Sequence, residues 1–399
     1  MDAARDSRAD AGDAGIGLRY AALGYELLFP ADVLRLSREE LKRVAAGAMQ
    51  VLDEVYCRRA ELSAGRTRQL TEDVVDGRVH LFVLRDRERS VVATMAFIKF
   101  EPMFGGDEVS FYEVGRVAKR LDSPPQLATG LIRAGFIWAA GHLDGDYVVA
   151  EARVACAEAD RPYNGRMLAR VLGHRNFMPA HAVYSHYVAQ TEAEPFVWAC
   201  AALNPEAWYR TVRRQQVHLP DNAESRMLEA MLAESRAARV VFAEPGDDRR
   251  ALPGEIREVV APSPTDESLY VLTRHPMPSR RVLAEIPGVT RSDGVRGSAG
   301  LNDRLILEED IVGRPESTGA LRAFHQAGFH LAGWVPSRRR FGRLALVMAR
   351  PGTVPAGRVS VTSPDLSALA HLPAAHSFLT RVLSRRPRPE LREAVRIPG

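Results

Sequence analysis

The sequence predicts a mixed α/β fold laid down twice along the chain, and three observations carry that prediction. Residues 18–203 alternate apolar strands with amphipathic helices in the order β-α-α-β-β-β-α-β-α-β-β, which implies helices layered on a sheet. A strand, a helix, a glycine and two closing strands recur 155 residues later, with Gly173 laid on Gly328 and residues 150–156 laid on 305–311. The 399 residues are 46% hydrophobic and 26% charged, inside the globular range, so each half is long enough to bury a core of its own.

"LRYAALGYELLF" (18–29) reads as the first strand. Pro30 opens a helical region reaching residue 62, with apolar residues at helical spacing and Ser37 followed by Glu40 as a capping box. Strands follow at 80–86 and 90–100 around the charged turn Arg87–Arg89, and at 108–119, where "EVSFYEVGRVAK" alternates. "SPPQLATG" leads into a helix at 131–143, then a strand at 147–156, a helix at 164–173 and two strands near 181–189 and 196–203.

Proline-bounded residues 205–220 read as a connector. A helix at 222–237 precedes the strand candidates "RVVFAE", "LYVLTR" and "RRVLAEI" and a glycine-rich stretch at 292–300. A strand at 304–312, a helix at 316–327 and two apolar strands around "SRRRFGR" (337–343) close this half. The expected organisation is a disordered N-terminus (1–17), a first domain (18–204), the connector (205–220), a second domain (221–352) and a Pro/Arg-rich tail (353–399) with one helix at "SFLTRVL".

The formal net charge is only +4, and Lys stands only at 42, 99 and 119, so the positive charge is nearly all Arg. Arg clamps phosphates bidentately, which suits a phosphate-bearing substrate without pointing to nucleic acid. Cys57, Cys156 and Cys200 are too far apart for a metal or CxxC spacing and suit a reducing cytoplasm. The histidines, His174, His181 and His186 among them, show no metal spacing either. No apolar h-region opens the chain and no stretch of eighteen apolar residues occurs, so the expectation is a cytoplasmic protein with no membrane partner.

The element order of residues 18–203 resembles the GNAT acyltransferase superfamily, in which each domain is a mostly antiparallel twisted sheet flanked by helices. "STGALRAFHQAGF" (317–329) is similar to that family's fourth helix, Asn-x-x-Ala-x-x-x-Tyr-x-x-x-Gly-Phe. Ala320, Gly328 and Phe329 match, while Ser317 replaces the Asn and Phe324 the Tyr that protonates the departing thiolate in many members. In the first copy only Gly173 matches, with His174 in the Phe place and Ala169 in the Tyr place. The family's phosphate loop, Gln/Arg-x-x-Gly-x-Gly/Ala, falls on "PPQLATGLI". Gln126 fits first, with Thr129 and Leu131 at the glycine positions; alternatively Pro125 comes first, with Ala128 and Gly130 there. The need is for backbone N–H groups at a helix N-terminus to approach a pyrophosphate.

The resemblance implies direct acyl transfer to an amine, which needs a base, donors for the oxyanion and a cleft where the fourth and fifth strands part. Glu113 is the candidate base. Backbone around Val114, Gly115, Arg116 and Val117 would meet the acyl carbonyl if the strand bulges at Gly115. Gln126, Ala128, Thr129 and Gly130 complete the donor contact. Glu151 and Arg153 share a strand face, to recognise an ionised acceptor or to pair with each other. Asn164 opens the next helix as substrate contact or N-cap. Tyr184 is the candidate acid, with Tyr187 beside it.

The expected function is therefore N-acylation of a small amine or amino-acid-like acceptor, with a catalytic first domain, a degenerate second one and no metal. The donor is acetyl-CoA or another acyl-CoA, or acyl carrier protein. One alternative is an aminoacyl-tRNA-dependent transferase whose Arg338–Arg343 hairpin grips RNA. The other is a non-catalytic ligand-binding or regulatory module.

Overall fold

A computed structural model describes residues 17, 19–56, 63–100, 109–154, 166–174, 177–186, 193–243, 257–262, 268–273, 302–315, 317–326, 328–351, 353–354, 363–386 and 388–389. The expected disordered residues 1–16, the strand at 280–286, the glycine-rich stretch, Asn164, Tyr187, Cys57 and Cys156 lie outside them. The start differs from expectation. Residues 19–22 are helical (α1), and the helix closes at Gly24, whose φ is 82°. Gly24 N–H bonds to Ala21 O and Tyr25 N–H to Tyr20 O, the left-handed glycine cap that ends many helices. The strand β1 is only Glu26–Leu28.

Helices α2 (Pro30–Arg35), α3 (Arg38–Tyr56) and α4 (Ser63–Val75) follow. The Ser37–Glu40 box forms as expected: Ser37 N–H donates to Glu40 Oε2 at 3.1 Å and Glu40 N–H to Ser37 Oγ at 3.3 Å. Then come β2 (Val79–Arg85), β3 (Val91–Lys99), β4 (Phe111–Lys119), α5 (Gln126–His142), β5 (Tyr147–Arg153), α6 (Arg166–Leu172), β6 (Met178–His186) and β7 (Ala193–Ala202). β2 and β3 are apolar along nearly their whole length because both faces are covered. On one face α3 and α4 bury Leu41, Val44, Leu52 and Leu70 against Leu81, Val83 and Ala96. On the other α5 buries Leu127, Leu131 and Trp138 against Phe82, Phe97 and Val114.

The connector is structured. It forms α7 (Pro205–Val212) and β8 (Gln216–Pro220), and β8 pairs in parallel with β9 (Arg239–Ala243) across the helix α8 (Ala223–Glu234). Gln215 imitates a strand partner for β14 (Leu344–Pro351): its amide donates to Leu344 O at 2.9 Å and accepts from Leu344 N–H at 2.8 Å. β10 (Arg257–Pro262), β11 (Ser268–Thr273) and β12 (Asn302–Leu307) complete the second half with β13 (His330–Pro336). The expected strand at 304–312 stops at Leu307, and residues 309–312 turn into the short helix α9 (Glu309–Val312). Helix α10 spans Ser317–Gln326. The tail is integral too: α11 (Pro373–Leu383) buries Phe378 and Leu379 in the core.

One twelve-stranded sheet runs through both halves, in the order β1-β2-β3-β4-β5-β7-β6-β13-β14-β12-β11-β10. The order β3-β4-β5-β7-β6 reappears reversed as β13-β14-β12-β11-β10. The parallel step from β4 to β5 has its counterpart in β11 to β12. The two series meet where β6 crosses β13 antiparallel, at Gly333 opposite His181. A Cβ on Gly333 would lie 2.1 Å from Ala180 O, and its φ is 140°, so only glycine lets the backbones touch there.

Candidate active site

Alternation along β4 sends Tyr112 and Val114 toward α5 and leaves Phe111, Glu113 and Gly115 on the opposite face. β4 and β5 pair in parallel from Phe111–Tyr147 to Val114–Ala150 and no further, although the strands continue to Lys119 and Arg153. The gap between them therefore opens at Gly115. On the other side of β4 the ladder to β3 steps from Thr94–Ala118 to Ala96–Gly115, giving β4 one extra residue. That is a β-bulge at Arg116–Val117, and Arg116 adopts φ 54°, the left-handed conformation an L side chain enters only under constraint. The expected irregularity at Gly115 is thus present one residue further on.

Glu113 stands immediately before this bulge, opposite Ile98 on β3 and Val149 on β5. A Cβ on Gly115 would sit 2.7 Å from Ile98 Cδ1, so the missing side chain leaves room for Ile98, and the Glu113 carboxylate lies just beyond, with Oε1 3.8 Å from that Cβ position. Glu113 is half-buried by area, yet the protein atoms around its carboxyl push its pKa from 4.5 to about 7, with the nearby Arg116 charge opposing part of that rise. A carboxyl group so placed exchanges protons near neutrality. Glu151, past the divergence on β5, shares its face and is half-buried.

The loop from β4 to α5 is gathered by Lys119, whose ammonium donates to Arg120 O at 3.0 Å and Ser123 O at 2.7 Å. Burial lowers the pKa of Lys119, Asp122 raises it and the Arg170 charge lowers it, so two cations share this mouth. α5 begins at Gln126 behind Pro125 with no side-chain cap. Gln126 and Thr129 are exposed, whereas Ala128 is buried in the core, so its side chain packs and does not meet a ligand. Gly130 also has a packing reason to be glycine. A Cβ there would lie 2.4 Å from the Tyr20 hydroxyl, which donates to Leu127 O at 3.3 Å, so the glycine admits the α1 side chain.

Two further expectations are corrected. Arg153, itself partly buried, pairs with the buried Glu194 of β7, which ties its guanidinium into the sheet and takes it up as an acceptor contact. Tyr184 lies on the α11 side of β6, and its hydroxyl donates to Leu383 O at 2.6 Å. Two strands intervene between β6 and β4, so at about 4.8 Å per step Tyr184 is roughly 14 Å from Glu113 and on the other face. It anchors the C-terminal helix and cannot protonate a leaving group in the β4–β5 gap.

The Arg338–Arg343 hairpin packs against the start of β4. Arg338 lies 5.7 Å from the Phe100 and Phe111 ring centroids, Phe341 stacks on Tyr147 at 5.4 Å, and Gly342 N–H donates to the Tyr147 hydroxyl at 2.9 Å. Phe324, in the place of the family's Tyr, is buried against Phe329. Sequence reasoning missed Lys119 and Arg170, which are separated by a whole α/β unit, and the grouping of Glu224, His325 and His330. Among the described residues no helix is long and apolar enough to cross a membrane.

No family model and no curated protein matches the chain. Several solved structures are similar to it. The ribosomal-protein-S5-alanine acetyltransferase from Vibrio fischeri is 11% identical over 45% of this chain and 94% of its own, with a TM-score of 0.34. The spermidine N-acetyltransferase from Vibrio cholerae, in complex with CoA and spermine, is 10% identical over 46% and 98%, at 0.33. An IAA acetyltransferase from Bacillus cereus is 11% identical over 45% and 99%, at 0.29.

Proposed function

We propose that residues 18–204 form an N-acyltransferase domain of GNAT type that uses the gap between β4 and β5. The observation that carries this reading is the place of Glu113, on a bulged strand where the parallel ladder ends, with burial pushing its carboxyl up to about 7. The thioester of an acyl-CoA or acyl carrier protein would enter the gap, its carbonyl toward the backbone of Val114 to Val117 and its phosphates toward the α5 N-terminus, Lys119 and Arg170. A neutral amine attacks the carbonyl carbon, the C–N bond forms and the C–S bond breaks, and the amine's proton passes to Glu113 and on to water. Thiols ionise near ~8.5, so the thiolate leaves without a dedicated acid and takes its proton from solvent. The acceptor is a small amine or amino-acid-like molecule approaching from the Glu113 and Glu151 face. The second half, with its reversed strand order, is a degenerate copy that walls this domain.

The test is thiol release from acetyl-CoA, a long-chain acyl-CoA and acyl carrier protein, each with a panel of amines. The expected result is amine-dependent release that E113Q reduces roughly 10²–10⁴-fold. Saturable thioester binding with no release would leave a non-catalytic module. Release from charged tRNA alone would move the donor to an aminoacyl ester.

A further inference from the structure

Far from the β4–β5 gap, three metal-ligating side chains converge in the second half. Glu224 is buried in the first turn of α8, His325 lies near the end of α10, and His330 opens β13. Glu224 Oε2 is 3.8 Å from His325 Nε2 and 4.0 Å from His330 Nδ1, and all three donor atoms lie within 4.8 Å of one another. The imidazole centroids are 4.8 Å apart.

A local motif sets this geometry. α10 ends with Phe329 N–H bonding to Phe324 O and Gly328 N–H to His325 O, with Gly328 at φ 88°. This glycine cap folds the chain back so that the last turn of the helix and the first residue of β13 present their histidines side by side. Arg385, just beyond α11, pairs with Glu224 Oε1, which holds the carboxylate so that Oε2 faces the imidazoles. His330 Nδ1 is buried and makes no hydrogen bond within the protein.

We propose that Glu224, His325 and His330 bind one divalent transition-metal ion, with zinc the preferred species. Two imidazoles and one carboxylate form a donor set that zinc takes, with a fourth position left for water. Zinc holds such ligands at about 2.0–2.2 Å, which sets them roughly 3.4 Å apart, so each donor moves inward by only about half an ångström. His325 is half exposed, which gives the ion a way in and the fourth position access to solvent. The Arg385 charge weakens the hold on a dication, so affinity in the micromolar range is expected in place of the tighter range of an all-thiolate site. Bound metal would tie α8 to β13 and the end of α10 across about a hundred residues of chain, and so clamp the C-terminal half. This inference is independent of the acyltransferase reading.

The experiment takes the full chain, strips it with chelator, and titrates it with zinc and separately with cobalt(II). Expected are about one zinc per chain, a visible cobalt spectrum of four-coordinate type and a melting temperature that zinc raises by a few degrees. H325Q should fold as the wild type does, because the side chain is exposed, and should lose affinity about tenfold or more along with the cobalt bands. H330Q should do the same. The proposal is overturned if the stripped protein takes up no stoichiometric zinc at micromolar concentration, or if H325Q binds as tightly as the wild type with an unchanged cobalt spectrum.

Discussion

Replacing Glu113 by glutamine removes the charge that the fold makes costly while keeping the side chain's size. In the folded chain this carboxyl holds its proton up to a pKa of about 7, against 4.5 when it is solvated. Between those values the folded state binds more protons than the unfolded state, so stability falls as pH rises through that window and the full cost is present above about pH 7. At ~1.36 kcal/mol per tenfold change in acid dissociation, the cost is at most about 3 kcal/mol. Half exposure screens it to about 1–2 kcal/mol. E113Q should therefore be more stable than wild type by about 1–2 kcal/mol near pH 8 and equal to it near pH 4, measured by denaturant unfolding at both pH values. In wild type, kcat/KM for acyl transfer should rise to a plateau with an apparent pKa of about 7, as the free carboxylate forms. If the stability difference is the same at both pH values, the carboxyl is an ordinary solvated one and the case for Glu113 as base loses its foundation.

Y184F removes only the hydroxyl that donates to Leu383 O, so it should cost about 1 kcal/mol in unfolding experiments and leave turnover unchanged. A large fall in kcat at wild-type stability would return Tyr184 to the chemistry. E194A takes the buried carboxylate from the partly buried Arg153 guanidinium and should cost about 3 kcal/mol, whereas replacing both partners by apolar residues of similar volume should cost far less. Equal losses in the single and double variants would contradict that account. G333A forces a Cβ to within 2.1 Å of Ala180 O and should destabilise by about 3 kcal/mol or more, with the two halves separating in the unfolding curve. A G333A protein that unfolds like wild type would mean that β6 and β13 do not meet at that residue.

Local signals read correctly where they were dense. The apolar runs of β2 and β3, the Ser37–Glu40 box and the alternation around Glu113 each place an element or a side chain within a few residues. α4 is not legible in the sequence, because its buried contacts reduce to Leu70, Thr71 and Val74 among the described residues, too few to show a period. Residues 18–29 read as one strand from their apolar content, whereas Gly24 at φ 82° ends a helix at 19–22 before the strand begins.

Sequence alone determined which segments shed water and in what order, because periodicity and turn chemistry act over one or two turns of chain. Tertiary structure alone decided what covers each surface. It gave Arg153 to Glu194, turned Tyr184 toward Leu383, laid Tyr20 over Gly130 and brought Glu224 to His325 and His330 across about a hundred residues. Each of those partners is chosen by how strands cross and helices dock. A side chain carries its own hydrogen-bonding capacity and charge in its sequence position, but the group that will answer them is supplied by packing of distant segments.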